Sequence, residues 1–108
     1  MIIGNDLGTT NSLAAYYKDG KAVIIPNRLG KHLTPSIVCE DEEGKISVGE
    51  TAREYGYLNP LRVASVFKRT MGTDKKYRLG DHSYTSKELS AFVLRSLKEV
   101  QRHTLEKR

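Results

Sequence analysis

The feature that most constrains this chain is the stretch 2–13, in which a short apolar run leads into a polar, glycine-containing turn and then into a second apolar run. This pattern predicts two strands joined by a reversal. The reversal contains Gly8, which is expected to let the backbone adopt a positive φ there. The turn residues Thr9, Thr10 and Asn11 carry hydroxyl and amide groups that hydrogen-bond phosphate oxygens, and successive backbone N–H groups form anion-binding nests. An ordinary hairpin with a polar turn is the alternative.

Two residues beside the turn add chemical detail. Asp6, at the end of the first strand, is suited to holding a hydrated Mg²⁺ beside a phosphate. Asn5 is a polar amide where a buried strand favours Ile or Val, so it must find partners or cost about 1–3 kcal/mol. The segment is not a Walker A loop, because no G-x-x-x-x-G-K-[ST] occurs in the chain.

The pattern of the remaining chain predicts an α+β fold. Strands are expected at 2–6, 13–18 and 22–25, and Asp19-Gly20 is a strong type I′ hairpin signal, so these three form an antiparallel meander. Residues 26–35 are interpreted as a loop. Two further strands at 37–39 and 46–48 flank an acidic turn and form a second hairpin.

Helices are predicted at 49–57, at 60–71 and from residue 86 to near the C-terminus. Pro60 suits a helix start and Gly72 a helix end. On the wheel of that second helix, Lys68 lies at the border of the apolar face, where it could present its ammonium at a cleft. Residues 73–80 are interpreted as a polar connector and 82–84 as a short edge strand. Thr85 and Glu88 have the spacing of a capping box.

Composition limits the function classes. The 108 residues suit one small domain or a piece of a larger one, and the single cysteine excludes an intrachain disulfide. The formal charge of +5 is concentrated near the C-terminus, but no aromatic residues interleave with those charges, which favours a solvated helix face over a nucleic-acid interface. This charge pattern therefore predicts no nucleic-acid partner. No signal peptide or membrane span is expected, which predicts a cytoplasmic protein without membrane partners.

Several short patterns then coincide along the whole chain. They are Ile3-Gly4-x-Asp6-Leu7-Gly8-Thr9-Thr10-Asn11-Ser12, Leu33-Thr34-Pro35-Ser36-Ile37-Val38, Val48-Gly49 with Ala52, Asn59-Pro60, and Phe67-Lys68-Arg69-x-Met71-Gly72. In this order and spacing they resemble the start of the ATPase domain of the seventy-kilodalton heat-shock chaperones of the DnaK type. The segments 72–77 and 94–99 further resemble the specialised bacterial homologues of the HscC kind.

This resemblance implies part of an actin-like ATPase (ribonuclease H-like) fold, with the first meander at 1–26 and a small α/β subdomain with a β-hairpin and two or three helices at 27–108. It implies that Gly8, Thr9, Thr10 and Asn11 contact the β- and γ-phosphates of ATP or ADP, and that Asp6 orders the waters of Mg²⁺. Lys68 matches the family's catalytic lysine. Position 5 is normally apolar in the family, so replacing Asn5 by Ile is expected to stabilise the chain.

The resemblance also implies an ATP-dependent chaperone of protein folding and the stress response, with unfolded polypeptide, a J-domain co-chaperone and a nucleotide exchange factor as partners. The second phosphate loop, the adenosine pocket and the substrate-binding domain of that family are not in this sequence. The isolated chain is therefore expected to self-associate and to lack ATPase activity. The alternatives are a stand-alone nucleotide-binding or self-associating regulatory module and a basic nucleic-acid binder.

Overall fold

The computed structural model describes residues 2–8, 10–65 and 71–106. Its first sheet is the expected meander of β1 (Ile2–Leu7), β2 (Asn11–Lys18) and β3 (Lys21–Ile25), in the order β1-β2-β3 and antiparallel throughout. Asp19 and Gly20 have φ values of 52° and 77°, which confirms the turn that these two residues predict. A short fourth strand, β4 (Thr34–Pro35), pairs with the start of β2. It lies inside the segment interpreted as a loop.

The second sheet has the order β6-β5-β7, with β5 (Ile37–Glu40) in the centre and β6 (Ile46–Val48) and β7 (Val63–Ser65) at its edges. Helix α1 (Glu50–Leu58) follows β6, close to its predicted bounds. The prediction of a helix at 60–71 is wrong for residues 60–65. A single 3₁₀ turn (Pro60–Arg62) leads into β7, which pairs antiparallel with β5.

The physical reason for this error is that the free edge of β5 offers the β-branched Val63 a ladder of backbone hydrogen bonds, which outweighs the helical spacing of apolar residues. The wheel argument that placed Lys68 at the border of a helix face therefore loses its basis. Lys68 itself lies outside the described residues.

The third sheet is a hairpin of β8 (Lys76–Leu79) and β9 (His82–Thr85), followed directly by α2 (Ser86–Glu106). Strand β8 replaces part of the predicted polar connector, whereas β9 and the long helix are confirmed. The capping box is formed as predicted. The Glu88 N–H donates to Thr85 Oγ1 at 3.2 Å and the Thr85 N–H donates to Glu88 Oε1 at 2.9 Å.

Helix α2 packs against both the meander and the second sheet, and it supplies much of the core. Its predicted apolar stripe is confirmed, with Leu89, Val93 and Leu97 buried and Phe92 and Val100 half-buried. The core cluster also contains Ala14, Ile25, Val38, Ala64 and Leu79. In the part of the chain that the structure describes, no helix has the length and apolar character that crossing a membrane requires.

Candidate functional site

The candidate site is the reversal between β1 and β2. Leu7 and Ser12 form the last cross-strand pair, and the Gly8 N–H donates to the Asn11 carbonyl oxygen at 3.1 Å, so the chain turns within residues 8–11. The φ of Gly8 is not in the left-handed region, contrary to expectation. Glycine is needed here for space, because a Cβ at position 8 would lie 2.4 Å from the Asn11 carbonyl oxygen.

Ser36 supports this turn from the side of the protein interior. Its backbone N–H donates to the Thr10 carbonyl oxygen at 2.9 Å, and its Oγ donates to the Gly8 carbonyl oxygen at 2.9 Å. The Ser12 Oγ lies 2.8 Å from the Ser36 Oγ. Because the single hydroxyl proton of Ser36 goes to Gly8, Ser12 must be the donor in that contact. The result is a hydrogen-bond chain from Ser12 through Ser36 to Gly8, in which both serine side chains are buried.

The motif Val48-Gly49 packs against the segment that contains Ser36 and fixes its position. Gly49 has a φ of 86° and is buried, and its N–H donates to the Ile37 carbonyl oxygen at 2.9 Å. A Cβ at position 49 would lie 3.0 Å from Thr34 Cγ2. The Thr34-Pro35-Ser36 and Val48-Gly49 patterns, which lie far apart in sequence, therefore meet beneath the turn. The sequence singled out both patterns but did not predict this contact.

The predicted site residues are only partly described. Asp6 and Thr10 are exposed, and Gly8 and Asn11 are half-buried, so these four surround one turn at the surface. Thr9 and Lys68 lie outside the described residues. The three carbonyl oxygens of Gly8, Thr10 and Asn11 all accept hydrogen bonds from groups of the fold itself.

This arrangement suits a phosphate group and a hydrated cation. Carbonyl oxygens that faced a bound phosphate would repel it. Here the carbonyl oxygens of Gly8 and Thr10 are bound by the buried Ser36, and that of Asn11 is bound by the Gly8 N–H across the turn. A glycine without a Cβ allows a tight turn, and the exposed carboxylate of Asp6 is a hard oxygen ligand of the kind that Mg²⁺ and its water shell prefer. Gly8, Thr10, Asn11 and Asp6 would therefore hold the phosphates and the cation.

Asn5 also differs from its expected role. Gln101 of α2, which is buried, donates from Nε2 to the Asn5 Oδ1 at 2.6 Å. Asn5 lies opposite Ala14 in the sheet, on the same face as the buried Ala14, but Asn5 itself is exposed rather than buried as expected. The amide therefore has a partner that the sequence did not predict, so the expectation that Asn5→Ile stabilises the chain loses its premise.

A second polar cluster lies between β5 and β9, away from the turn. The Glu40 carboxylate is buried and accepts a hydrogen bond from Tyr84 Oη, and its Oε2 lies 2.6 Å from His82 Nδ1. Burial by itself raises the pKa of Glu40, but the hydrogen bonds from Tyr84 and His82 more than offset it and hold the pKa below its usual value. Burial and the hydrogen bond to Glu40 raise the pKa of Tyr84 to about 12.

Comparison with known proteins gives the same picture as the motifs. The family model described as Hsp70 protein matches residues 2–79. The chaperone protein DnaK of Thermotoga neapolitana is 48% identical over 99 residues, which cover 91% of this chain and 17% of that protein. DnaK of Thermotoga petrophila is 49% identical over 98 residues, which cover 90% of this chain and 16% of that protein. DnaK of Thermosipho africanus is 47% identical over 98 residues, with the same coverage of the two chains. The chain thus spans about a sixth of the length of these relatives.

Proposed function

Because the chain belongs to the Hsp70 family, we propose that it forms the first part of an actin-like ATPase domain that drives a DnaK-type chaperone. The turn at residues 8–11 is the first phosphate-binding loop of that domain. The observation that supports this role is the engagement of the Gly8 and Thr10 carbonyl oxygens by the buried Ser36, beside a tight glycine turn and an exposed aspartate.

In this proposal the residues of the chain have distinct roles. Gly8, Thr9, Thr10 and Asn11 contact the β- and γ-phosphates of ATP or ADP. Thr9, Thr10 and Asn11 supply backbone and side-chain donors, whereas Gly8, whose N–H is committed to the Asn11 carbonyl oxygen, lets the phosphates approach the turn closely. Asp6 orders the water shell of Mg²⁺. When bound, the ion neutralises charge on the phosphates, and Lys68 supplies a fixed cation where negative charge develops in phosphoryl transfer.

The activity of the complete protein is ATP hydrolysis coupled to binding and release of unfolded polypeptide, in the cytoplasm. A J-domain co-chaperone and a nucleotide exchange factor are its proposed partners, and nucleic acid and membranes are not. The chain by itself carries one wall of the nucleotide cleft. Positioning and charge stabilisation act together in phosphoryl transfer, so the isolated chain is expected to bind nucleotide no better than millimolar and not to hydrolyse it.

The decisive experiment is a chimaera in which this chain replaces the matching N-terminal region of Thermotoga neapolitana DnaK. We expect the chimaera to hydrolyse ATP and the isolated chain to show no turnover above background. Lys68→Ala in the chimaera should abolish hydrolysis and leave nucleotide binding largely intact. Lys98→Ala is the matched control, because Lys98 is an exposed cation on α2.

Two outcomes would contradict the proposal. Normal turnover by the Lys68→Ala chimaera would remove Lys68 from the catalytic role. Robust turnover by the isolated chain would favour the alternative of a nucleotide-binding module that works at this length.

A further inference from the structure

We propose that Ser36 is a positioning residue of the phosphate loop, which acts by holding two loop carbonyl oxygens away from the bound phosphate. This inference rests on the proposed function of the loop. Ser36 does not itself face the ligand position, because the residue is 4% exposed and its hydroxyl donates to the Gly8 carbonyl oxygen.

The first step of the argument is the placement of the two bonds. The Ser36 Oγ donates a hydrogen bond to the Gly8 carbonyl oxygen, and the Ser36 backbone N–H donates one to the Thr10 carbonyl oxygen. Both donor–acceptor distances are 2.9 Å. These two carbonyls belong to described residues on either side of the reversal between β1 and β2. A peptide unit turns as a plane, so fixing its carbonyl oxygen inward directs the N–H of the following residue to the opposite side. One serine therefore fixes the direction of the Gly8 carbonyl and the orientation of the peptide unit that leads into residue 11.

The second step is electrostatic. An anion site made from backbone groups needs its N–H dipoles facing the anion and its carbonyl dipoles facing away. If either peptide flipped, a carbonyl oxygen would replace an N–H at the phosphate, which exchanges attraction for repulsion. Donors that are fixed before the ligand arrives also avoid the cost of ordering the loop during binding.

The third step is the stiffness of the support. The hydroxyl of Ser12 donates to Ser36 Oγ, which polarises the Ser36 hydroxyl and strengthens its bond to Gly8. Ser36 lies between β4, which pairs with β2, and β5, the central strand of the second sheet. The residue is therefore anchored to both sheets, and the Gly49 N–H bond to Ile37 fixes the chain one residue further on.

The test uses the 108-residue chain and follows backbone amides by NMR while Mg²⁺-ATP is added. Wild-type chain should show shifts of the Gly8, Thr10 and Asn11 amides with millimolar affinity. Ser36→Ala should weaken this affinity by about fivefold or more, because the loop loses its pre-organised donors. Thr34→Val is the matched control: Thr34 is buried in the same motif, and its hydroxyl accepts from Asn27 Nδ2 at 3.3 Å rather than contacting the turn. It should bind as wild type does.

Two further variants keep the result interpretable. Ser36→Thr retains the hydroxyl and the backbone N–H and should restore affinity to within about twofold of wild type. If Ser36→Ala does not fold, Ser36→Cys replaces it, since a thiol is of similar size but a weak donor, and the same loss of affinity is expected. A melting curve of each variant separates a general loss of stability, which Thr34→Val shares, from a specific loss of binding.

The outcomes separate the inference from the proposed function. If neither the wild-type chain nor the chimaera with Thermotoga neapolitana DnaK binds Mg²⁺-ATP, the phosphate-loop function fails and the role of Ser36 fails with it. If only the chimaera binds, the Ser36 and Thr34 variants are compared in the chimaera with the same expected outcomes. If wild type binds and a folded Ser36→Ala or Ser36→Cys chain binds equally well, the role of Ser36 is overturned while the phosphate loop stands. If Thr34→Val loses binding as Ser36→Ala does, the effect is general destabilisation and the positioning role is likewise overturned.

Discussion

The side chain of Gln101 in α2 donates a hydrogen bond to the side chain of Asn5 in β1, with 2.6 Å between Nε2 and Oδ1. The two residues are 96 positions apart, so this bond ties the end of the last helix to the first strand. Gln101 is 6% exposed, and its amide therefore depends on Asn5 for the partner that water would otherwise provide. A polar pair fixes the position of α2 on the meander at this point.

The first prediction is that Asn5→Ile destabilises the chain. The substitution leaves the Gln101 amide without this acceptor, which should lower the free energy of unfolding by about 1–3 kcal/mol. Urea titrations of the two chains provide the measurement. The double variant Asn5→Ile with Gln101→Leu removes both polar groups and should recover most of the loss. An increase in stability from Asn5→Ile alone would contradict the role of this pair.

The second prediction concerns the acid stability that Glu40 provides. The folded pKa of Glu40 lies below its usual value, so the folded chain holds the carboxylate in its charged form more strongly than the unfolded chain does. This stabilisation is present above the unfolded pKa, near 4.5, and is lost as the pH falls through the lower folded pKa. Thermal melts between neutral and acidic pH should therefore show a falling melting temperature below that value.

The matched variant for this prediction is Glu40→Gln. It removes the charge that accepts from His82 and Tyr84, so it should cost about 1–3 kcal/mol at neutral pH and make the acid dependence shallower than in wild type. Glu88 also has a lowered pKa, through hydrogen bonds from Thr85, so some acid dependence remains. Parallel melting curves for the two chains over the acid range would show that Glu40 is not the source of the effect.

The same cluster gives a third prediction at alkaline pH. The pKa of Tyr84 is raised from 10 to about 12, so the folded state favours the protonated phenol. Its stabilisation is complete below pH 10 and is lost as the pH rises towards 12. Tyr84→Phe should remove this part of the alkaline sensitivity, whereas Tyr57→Phe, at a residue that is 74% exposed, should leave it unchanged. Equal alkaline transitions in wild type and Tyr84→Phe would refute the assignment.

The fourth prediction tests why residue 8 is glycine. In Gly8→Ala the new Cβ would lie 2.4 Å from the Asn11 carbonyl oxygen. This oxygen is a backbone atom, so it cannot move away as the end of a flexible side chain could. We expect a loss of about 1–3 kcal/mol from overpacking. Gly4→Ala is the control, since a Cβ at position 4 would meet no heavy atom of the described residues within 4 Å, and alanine is better than glycine in a strand by about 0.5–1 kcal/mol. Denaturant unfolding of both variants measures the difference, and equal stabilities would exclude the steric explanation.

The parts of the fold that the sequence predicted correctly depend on neighbouring residues. Asp19 and Gly20 determine the first turn by themselves, because both have positive φ. Thr85 and Glu88 begin α2 by hydrogen bonding to each other across three positions. In each case the interacting residues lie within a few positions of one another, so the local sequence is sufficient to predict the turn and the helix start.

The parts that were missed or wrong depend on distant partners. Val63–Ser65 is a strand because β5 offers it an edge, and the apolar spacing around it equally fits a helix. Ser36 contacts Gly8 across 28 positions, and neither residue alone indicates the other. The loop residues of the candidate site were therefore predicted from the sequence. The hydrogen bonds from Ser36 that hold the loop could be identified only from the tertiary structure.

The last prediction concerns association of the chain through the face of the meander opposite α2. Ile24 lies opposite Ala15 in the β2–β3 ladder, and Tyr17 follows on the same face of the sheet two residues along β2. Ile24 is 37% exposed and Tyr17 51% exposed, which leaves apolar surface on the edge strand β3 and the middle strand β2. We expect light scattering to report dimers or larger species at high protein concentration.

Two charge substitutions locate this contact. Ile24→Lys should shift the chain towards monomer, because association would bury an unpaired ammonium. Leu61→Lys is the control: Leu61 is more exposed, at 83%, but lies in the 3₁₀ turn rather than on the meander. If Leu61→Lys dissociates the chain and Ile24→Lys does not, the contact lies beside α1 and the meander is not the interface. A wild-type chain that stays monomeric at millimolar concentration would refute association altogether.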